Sequence, residues 1–483
     1  MGAVFWSEIV SDGNAIDPIG VQYTEEKRDS ETVQSITSNE TEKCEKQGKW
    51  SELPSLPLEK IYSFLRREDQ VNMSLVCRSW SEGYSSPSVW KTFRFALSEP
   101  QLSMDTCPVM KFVQKYSNMF RHVEIKRCHT QNNGLMKIFC GHVTEFLQIL
   151  MSNTQLISVK FLYFGKYLWR IDNLTYNDIC REIAEFLASQ RDLKRVEFDQ
   201  CSFSYKESVE LLRNLNENSR ESLTHLKLQN FLSDENTDIE QDSNAAQKLP
   251  MLADLYNLKT LDTDYSFIFE NMVARQSSAI QTGKNCKTLV LSKLILYYCS
   301  EYTDIADLRG LTSTNWWLMK RLYPDLQVEF LLITDSLARR VFQFLILPNM
   351  PISRLECLSN DFNQGTEIAV LFDHLLACKT NEHLVSLKID WDEPTQHLSS
   401  YFIPFLQTCK KLKCLDICVF SPITGMDVLL QSWLENRPES LENVIIDIVY
   451  LHNENDFPGW ISVNEYVSLL KLAGLNISVN FNI

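Results

Sequence analysis

A short apolar pattern, Leu-x-x-Leu-x-Leu in its simplest form, recurs about a dozen times from Phe120 onward. Clear copies are Leu156-x-x-Val159-x-Phe161, Leu193-x-x-Val196-x-Phe198, Leu223-x-x-Leu226-x-Leu228, Leu384-x-x-Leu387-x-Ile389, Leu412-x-x-Leu415-x-Ile417 and Leu441-x-x-Val444-x-Ile446. The series is completed by Phe120-x-x-Val123-x-Ile125, Leu258-x-x-Leu261, Cys286-x-x-Leu289-x-Leu291, Tyr323-x-x-Leu326-x-Val328, Ile352-x-x-Leu355-x-Cys357 and Leu472-x-x-Leu475-x-Ile477. Successive copies start 28 to 37 residues apart. A period in this range means one small unit stacked on copies of itself, because a single unit cannot bury its apolar face alone. The alternation of apolar residues makes each copy a strand. Intervening segments such as EIAEFLASQRD and VFQFLILPN read as helices. The expected unit is therefore helix, loop, strand. A two-layer α/β domain with unrelated strands is the alternative, and even spacing of one pattern argues against it.

Upstream of the repeats the composition changes twice. Residues 1–48 are polar and rich in Ser, Thr, Glu and Asn, as in DSETVQSITSNETEKCEKQGK. Such a segment cannot bury enough apolar surface to offset its chain entropy, so a disordered tail is expected. From Trp50 to about Leu97 the pattern is helical. Ile61, Phe64 and Leu65 stand at i, i+3 and i+4, on one helical face. Asp69 is placed to cap a second short helix carrying Val71, Leu75 and Val76. Cys77, Trp80 and Tyr84 continue a third.

Residues 50–90 read WSELPSLPLEKIYSFLRREDQVNMSLVCRSWSEGYSSPSVW, and this stretch resembles the F-box. That family's pattern opens on Leu-Pro, sets an aliphatic residue and a Leu eight and twelve positions later, then an Asp, a Val-Cys-Arg-x-Trp and a closing Trp. Leu53-Pro54, Ile61, Leu65, Asp69, Val76-Cys77-Arg78 with Trp80, and Trp90 fill those places in register. Pro57 departs from the pattern; Pro is tolerated in a first helical turn, so the first helix is expected to begin near it. The resemblance implies an F-box at 49–97 followed, over 98–483, by an irregular leucine-rich-repeat solenoid, a horseshoe with a curved parallel sheet. Its repeats run longer than the usual leucine-rich repeat. It further implies docking on a Skp1-type adaptor through Leu53, Pro54, Ile61, Leu65, Val76, Cys77 and Trp80. A cullin and a RING protein would be reached indirectly, and a protein substrate held by the repeats for ubiquitination. Trp90 and Phe93 are expected to join the helical bundle to the next domain. Two alternatives remain: a Skp1-bound scaffold outside any ligase, and a repeat receptor whose F-box is vestigial.

In such a solenoid the residues between the buried apolar positions face the concave side. Those positions hold Glu124, Lys126, Lys160, Glu197, Asp199, Lys227, Asp262, Asp264, Glu329, Glu356, Lys388, Asp390, Asp416 and Asp447. Acids outnumber bases, so an electronegative face receiving a basic segment of the substrate is one expectation, with Glu197, Asp199, Asp262, Asp264, Glu356, Asp390 and Asp416 as contacts. A plain solvated face is the other. The inserts SDENTDIEQDSN, from Ser233, and HNENDFPGW, ending at Trp460, read as loops.

The remaining features argue against chemistry by this chain. No GxSxG, Walker A loop, HExxH or GxGxxG occurs, and the eight histidines are dispersed. His225 lies in a strand and reads as structural. Fourteen cysteines are scattered without a CxxC pair. Even Cys409, Cys414 and Cys418 lie in a strand-like stretch, so buried reduced thiols are expected rather than zinc. Neither a metal nor another cofactor is expected. A net charge of −15 disfavours nucleic acid and membrane surfaces as general partners. The opening residues lack the basic and apolar blocks of a signal peptide, so a cytoplasmic or nuclear location is expected.

Overall fold

The structure, a computed structural model, describes residues 50–482 apart from 66, 169–170, 234–253, 269–289, 302–303, 309, 335–338, 360–365, 395–397, 421–424 and 450–459. The tail expected to be disordered and most of the two loop inserts lie outside the described residues. The chain divides into two compact units, residues up to 157 with 170–182, and residues 158–169 with 183–483. No helix among the described residues is long and apolar enough to cross a membrane.

The first unit opens with three short helices, α1 (Ser55–Phe64), α2 (Arg67–Ser74) and α3 (Arg78–Tyr84). Pro57 sits in the first turn of α1, where a missing N–H costs no helical hydrogen bond. The helix starts slightly before it, capped by extended Pro54. Asp69 does not cap α2; the helix begins at Arg67, which places Asp69 inside its first turn. There a carboxylate still favours the N-terminal end of the helix dipole. Leu58 and Tyr62, one turn apart, form the inner face of α1. A Cβ added to Gly83 of α3 would meet Leu58 Cδ2 at 2.5 Å, so the two helices approach closely because position 83 has no side chain.

The helical reading to Leu97 needs one correction. Thr92–Phe95 is a strand, β1, and pairs in parallel with β2 (His122–Lys126), Phe93 opposite Val123 and Phe95 opposite Ile125. Trp90-x-x-Phe93-x-Phe95 is an aromatic version of the repeat pattern, with all three residues buried. The aromatic chain continues without a break. Trp90 packs on Tyr84 (4.9 Å between ring centroids) and Phe112 (4.5 Å), Phe93 stacks on Phe120 (4.5 Å) and Phe95 on Phe146 (4.4 Å). Phe146 belongs to the helix Asn133–Asn153, whose first turn is capped by Asn132 accepting from the backbone N–H of Gly134 at 2.9 Å. Trp90 and Phe93 thus join the helical bundle to the first strand pair.

The second unit is a parallel ladder in sequence order: β3 (Ser158–Leu162), β4 (Arg195–Asp199), β5 (His225–Gln229), β6 (Thr260–Asp264), β7 (Lys293–Cys299), β8 (Gln327–Thr334), β9 (Ile352–Ser359), β10 (Ser386–Pro394), β11 (Cys414–Phe420), β12 (Asn443–Val449) and β13 (Asn476–Asn482). Helices return the chain between strands, among them Tyr205–Ser219, Ser313–Leu322, Thr366–Ala377, Leu398–Thr408 and Met426–Asn436. The inner side chains align across strands. Val159, Val196, Leu226, Leu261 and Leu294 form one buried row, and Leu355, Leu387, Leu415, Val444 and Ile477 another. Each such side chain contributes about 1.5–3 kcal/mol by leaving water.

Two repeats, at β8 and β13, lie in a different register from the sequence pattern. Strand β7 carries Leu291-x-x-Leu294-x-Leu296, and Cys286 and Leu289 of the expected copy lie outside the described residues. In β8 the residues opposite Leu294 and Leu296 are Val328 and Phe330, not Leu326 and Val328. The β8–β9 ladder then slips by one residue between Val328 and Glu329, which lets β9 return to the expected Leu355 and Cys357. In β13, Ile477 and Val479 face Val444 and Ile446, while Leu472, expected to be inside, is 85% exposed.

Candidate functional site

Two surfaces hold the residues singled out above. The first is the outer side of the helical bundle. All seven residues expected there stay outside the core: Pro54 and Val76 are exposed, and Leu53, Ile61, Leu65, Cys77 and Trp80 are half-buried. The core is instead built from Leu58, Tyr62, Met73, Val89 and Trp90. Polar ties fix the frame. Tyr62 Oη donates to the Trp80 carbonyl at 2.7 Å, and Gln70 Nε2 donates to the Tyr62 carbonyl at 2.8 Å. Trp80 Nε1 donates to the Trp50 carbonyl at 2.9 Å.

Four large apolar residues beyond the expected set are also open: Trp50, Leu56, Phe64 and Leu75 are each at least two-thirds exposed. Leu56 and Phe64 project from α1 on the side opposite Leu58 and Tyr62, with Lys60 Nζ 4.8 Å from the Phe64 ring centre. Phe64 therefore does not share the environment of Ile61 and Leu65, as simple i, i+3, i+4 spacing suggested. A signal for this was present: Leu58 and Tyr62 form the competing i, i+4 pair, and Tyr62 has a hydroxyl that needs an internal acceptor. Trp50, Leu56, Phe64 and Leu75 thus add exposed apolar area to a short bundle.

The second surface is the outward face of the parallel ladder. On β3 to β6 it is a lattice of paired charges. Lys160 lies between Glu197 (3.4 Å) and Asp199 (3.3 Å), and Lys227 between Asp199 (3.0 Å) and Asp262 (3.9 Å). Arg195 also pairs with Glu197, and His225 Nε2 stands 3.6 Å from the same carboxylate. Burial raises the Asp262 pKa to about 6, against the pull of Lys227 and helped by the repulsion of Asp199 and Glu197. Burial, with Arg195 beside it, depresses His225 to about 4, which fits its structural reading. Asp264 accepts from the backbone N–H of Asn230 at 2.9 Å. Further along, Lys293 pairs with Glu329 (2.8 Å) and Arg354 with Glu356 (2.5 Å). Lys388 is shared by Asp390 (3.9 Å) and Asp416 (3.7 Å), and Asp447 accepts from Asn480 Nδ2 at 2.8 Å.

The cysteines of the described residues carry free thiols, most of them buried. One cysteine–histidine contact escaped the sequence reading: Cys378 Sγ lies 3.5 Å from His374 Nε2. That ring nitrogen is 2.8 Å from the Ile346 carbonyl, and burial pushes the thiol up, so the pair is suited to packing rather than to nucleophilic attack.

The F-box-like family model matches residues 50–96. The F-box/LRR-repeat protein 21 of Bos taurus is 25% identical over 113 residues, 23% of this chain and 26% of that protein, so the match spans about a quarter of the relative's length. Among solved structures, the crystal structure of a TLR13–ssRNA13 complex overlaps 82% of this chain and 52% of its own, with 14% identity and a TM-score of 0.29. The chain thus carries an F-box-like domain, followed by leucine-rich-repeat-like units built on a parallel sheet.

Proposed function

We propose that the chain is a non-catalytic adaptor that recognises a substrate for a Skp1–cullin–F-box ubiquitin ligase. Its helical bundle docks on a Skp1-type protein, its repeats hold a protein substrate, and a cullin with its RING partner is reached through the docked adaptor. The observation that carries this reading is the exposed apolar surface of the F-box-like domain, where Leu56, Phe64, Leu75 and Val76 stand open and Ile61 and Leu65 are half-buried. Covering an exposed apolar side chain gains roughly 1.5–3 kcal/mol before association costs, so a handful suffices for a stable helical partner. Proximity then does the rest, since tethering raises the effective concentration of substrate lysines near the loaded conjugating enzyme. Such an adaptor works in the cytoplasm or nucleus. The test is purification of the tagged chain from cells. The proposal expects a Skp1-type protein and a cullin with the native chain, and the loss of both with Leu65→Asp. A bound Skp1-type protein with cullin absent would favour a scaffold outside any ligase.

A further inference from the structure

We propose that the outward sheet face over β10 to β13 docks an extended partner segment whose basic and aliphatic side chains alternate along one face, at every second residue. This deepens the substrate-holding role given above to the repeats and rests on it. The first support is a difference in charge pairing along the ladder. On β3 to β6 the carboxylates of Glu197, Asp199 and Asp262 are met by Lys160, Lys227 and Arg195. On β10 to β12 the pairing is looser. Among the described residues, Lys388 lies 3.9 Å from Asp390 and 3.7 Å from Asp416, near the outer limit of an ion pair, while a neutral amide meets Asp447. Burial works to lower the Lys388 pKa, yet Asp390, Asp416 and Glu356 prevail and raise it. Asp416 is itself held above its ordinary range, first by burial and then by Asp447 and Glu356. Among the described residues Asp416 and Asp447 are thus less closely met by cations than the acids of β3 to β6, and an incoming guanidinium or ammonium would relieve their repulsion.

The second support is apolar. Ile445 stands on the same face, opposite Asp416 on one side and Ser478 on the other, and is 42% exposed. It alternates along β12 with Asp447 and the half-buried Val449, and Phe420 lies opposite Val449 on β11. Acidic and aliphatic positions therefore repeat every second residue. An extended segment running along these strands repeats its own side chains at the same spacing, about 6.6 Å. Basic residues of the partner would meet Asp416 and Asp447 while aliphatic ones cover Ile445. Covering Ile445 also removes water from beside the carboxylates, which strengthens each ion pair. An acidic segment or a nucleic-acid backbone meets repulsion at the same positions.

The test measures fluorescence anisotropy of a labelled peptide of repeating Arg-Ser-Leu-Ser, which sets Arg and Leu alternately along one face of an extended chain, with this protein. Saturable binding is expected, weakened roughly tenfold by the pair Asp416→Asn with Asp447→Asn and by Ile445→Ser, and unchanged by Asp199→Asn on the paired lattice. Thermal melting of each variant shows that it is folded. If the double variant unfolds, Asp447→Asn alone and the salt dependence of the native chain replace it. Binding that ignores the β11 and β12 substitutions, that Asp199→Asn weakens equally, or that an Arg-Ser-Ser-Ser repeat reproduces at full strength would overturn the proposal. Capture of a Skp1-type protein by the same preparations reports separately on the F-box reading. Face-dependent peptide binding without that capture leaves the docking surface standing, and capture without it removes this proposal alone.

Discussion

The Tyr62 hydroxyl donates a 2.7 Å hydrogen bond to the main-chain carbonyl of Trp80, tying the centre of α1 to α3 from inside the bundle. Burial pushes the phenol up to about 12, so it stays protonated and a donor at every physiological pH. Tyr62→Phe keeps the ring and deletes the donor, leaving the carbonyl without it. The expected cost is about 1–2 kcal/mol, read as a lower urea midpoint with an unchanged slope.

The Leu58–Gly83 approach gives a second expectation. A methyl group at position 83 must displace the end of the Leu58 side chain, so Gly83→Ala should destabilise the bundle by about 1–3 kcal/mol despite its better helix propensity. Gly83→Ala combined with Leu58→Val should recover part of the loss. Urea titrations of the two single changes and the double check this coupling.

Charges on the open face predict opposite pH effects. For Asp262 the folded pKa, about 6, lies above the ordinary value of 3.8. Its contribution to stability is complete below the unfolded pKa and is lost as pH rises through about 6. Asp262→Asn should therefore flatten stability between pH 4 and 6 and raise it by roughly 1–3 kcal/mol at pH 7. For His225 the folded pKa, about 4, lies below the ordinary 6.5. Its contribution is present above 6.5 and is lost as pH falls toward 4, so His225→Gln should make the chain less sensitive to acid over that interval. Chemical denaturation across pH 4–7 separates the two slopes.

Which parts of this molecule are legible in sequence follows from which forces act locally. The inner rows of Val196, Leu226, Leu387 and Leu415 were readable because burial imposes period-two alternation on every repeat. At β8 and at β13 the same rule misplaced the strands, because other apolar residues lie close to the true register. Tyr297, Cys299 and Ile333 form a separate apolar cluster on the outward face, so alternation no longer distinguishes inside from outside. The aromatic copy at Trp90-x-x-Phe93-x-Phe95 was masked by its closeness to the helical pattern. Position in the F-box pattern found residues that remain accessible. It missed Leu56 and Phe64, whose exposure depends on the Tyr62–Trp80 bond fixing the rotation of α1. The pairing of Lys160 and Lys227 with three carboxylates needed the strand register and could not come from counting acids.

Docking of a Skp1-type partner, as proposed, would cover the open side of α1. Phe64→Asp is the most direct probe, because Phe64 is 75% exposed and its substitution should change folding stability by no more than about 0.5 kcal/mol. The measurement is the amount of Skp1-type protein and cullin recovered with the tagged chain from cells, alongside its melting temperature. Near-complete loss of both partners at an unchanged melting temperature is expected; undiminished recovery by the Phe64→Asp chain would rule out docking through this side of α1.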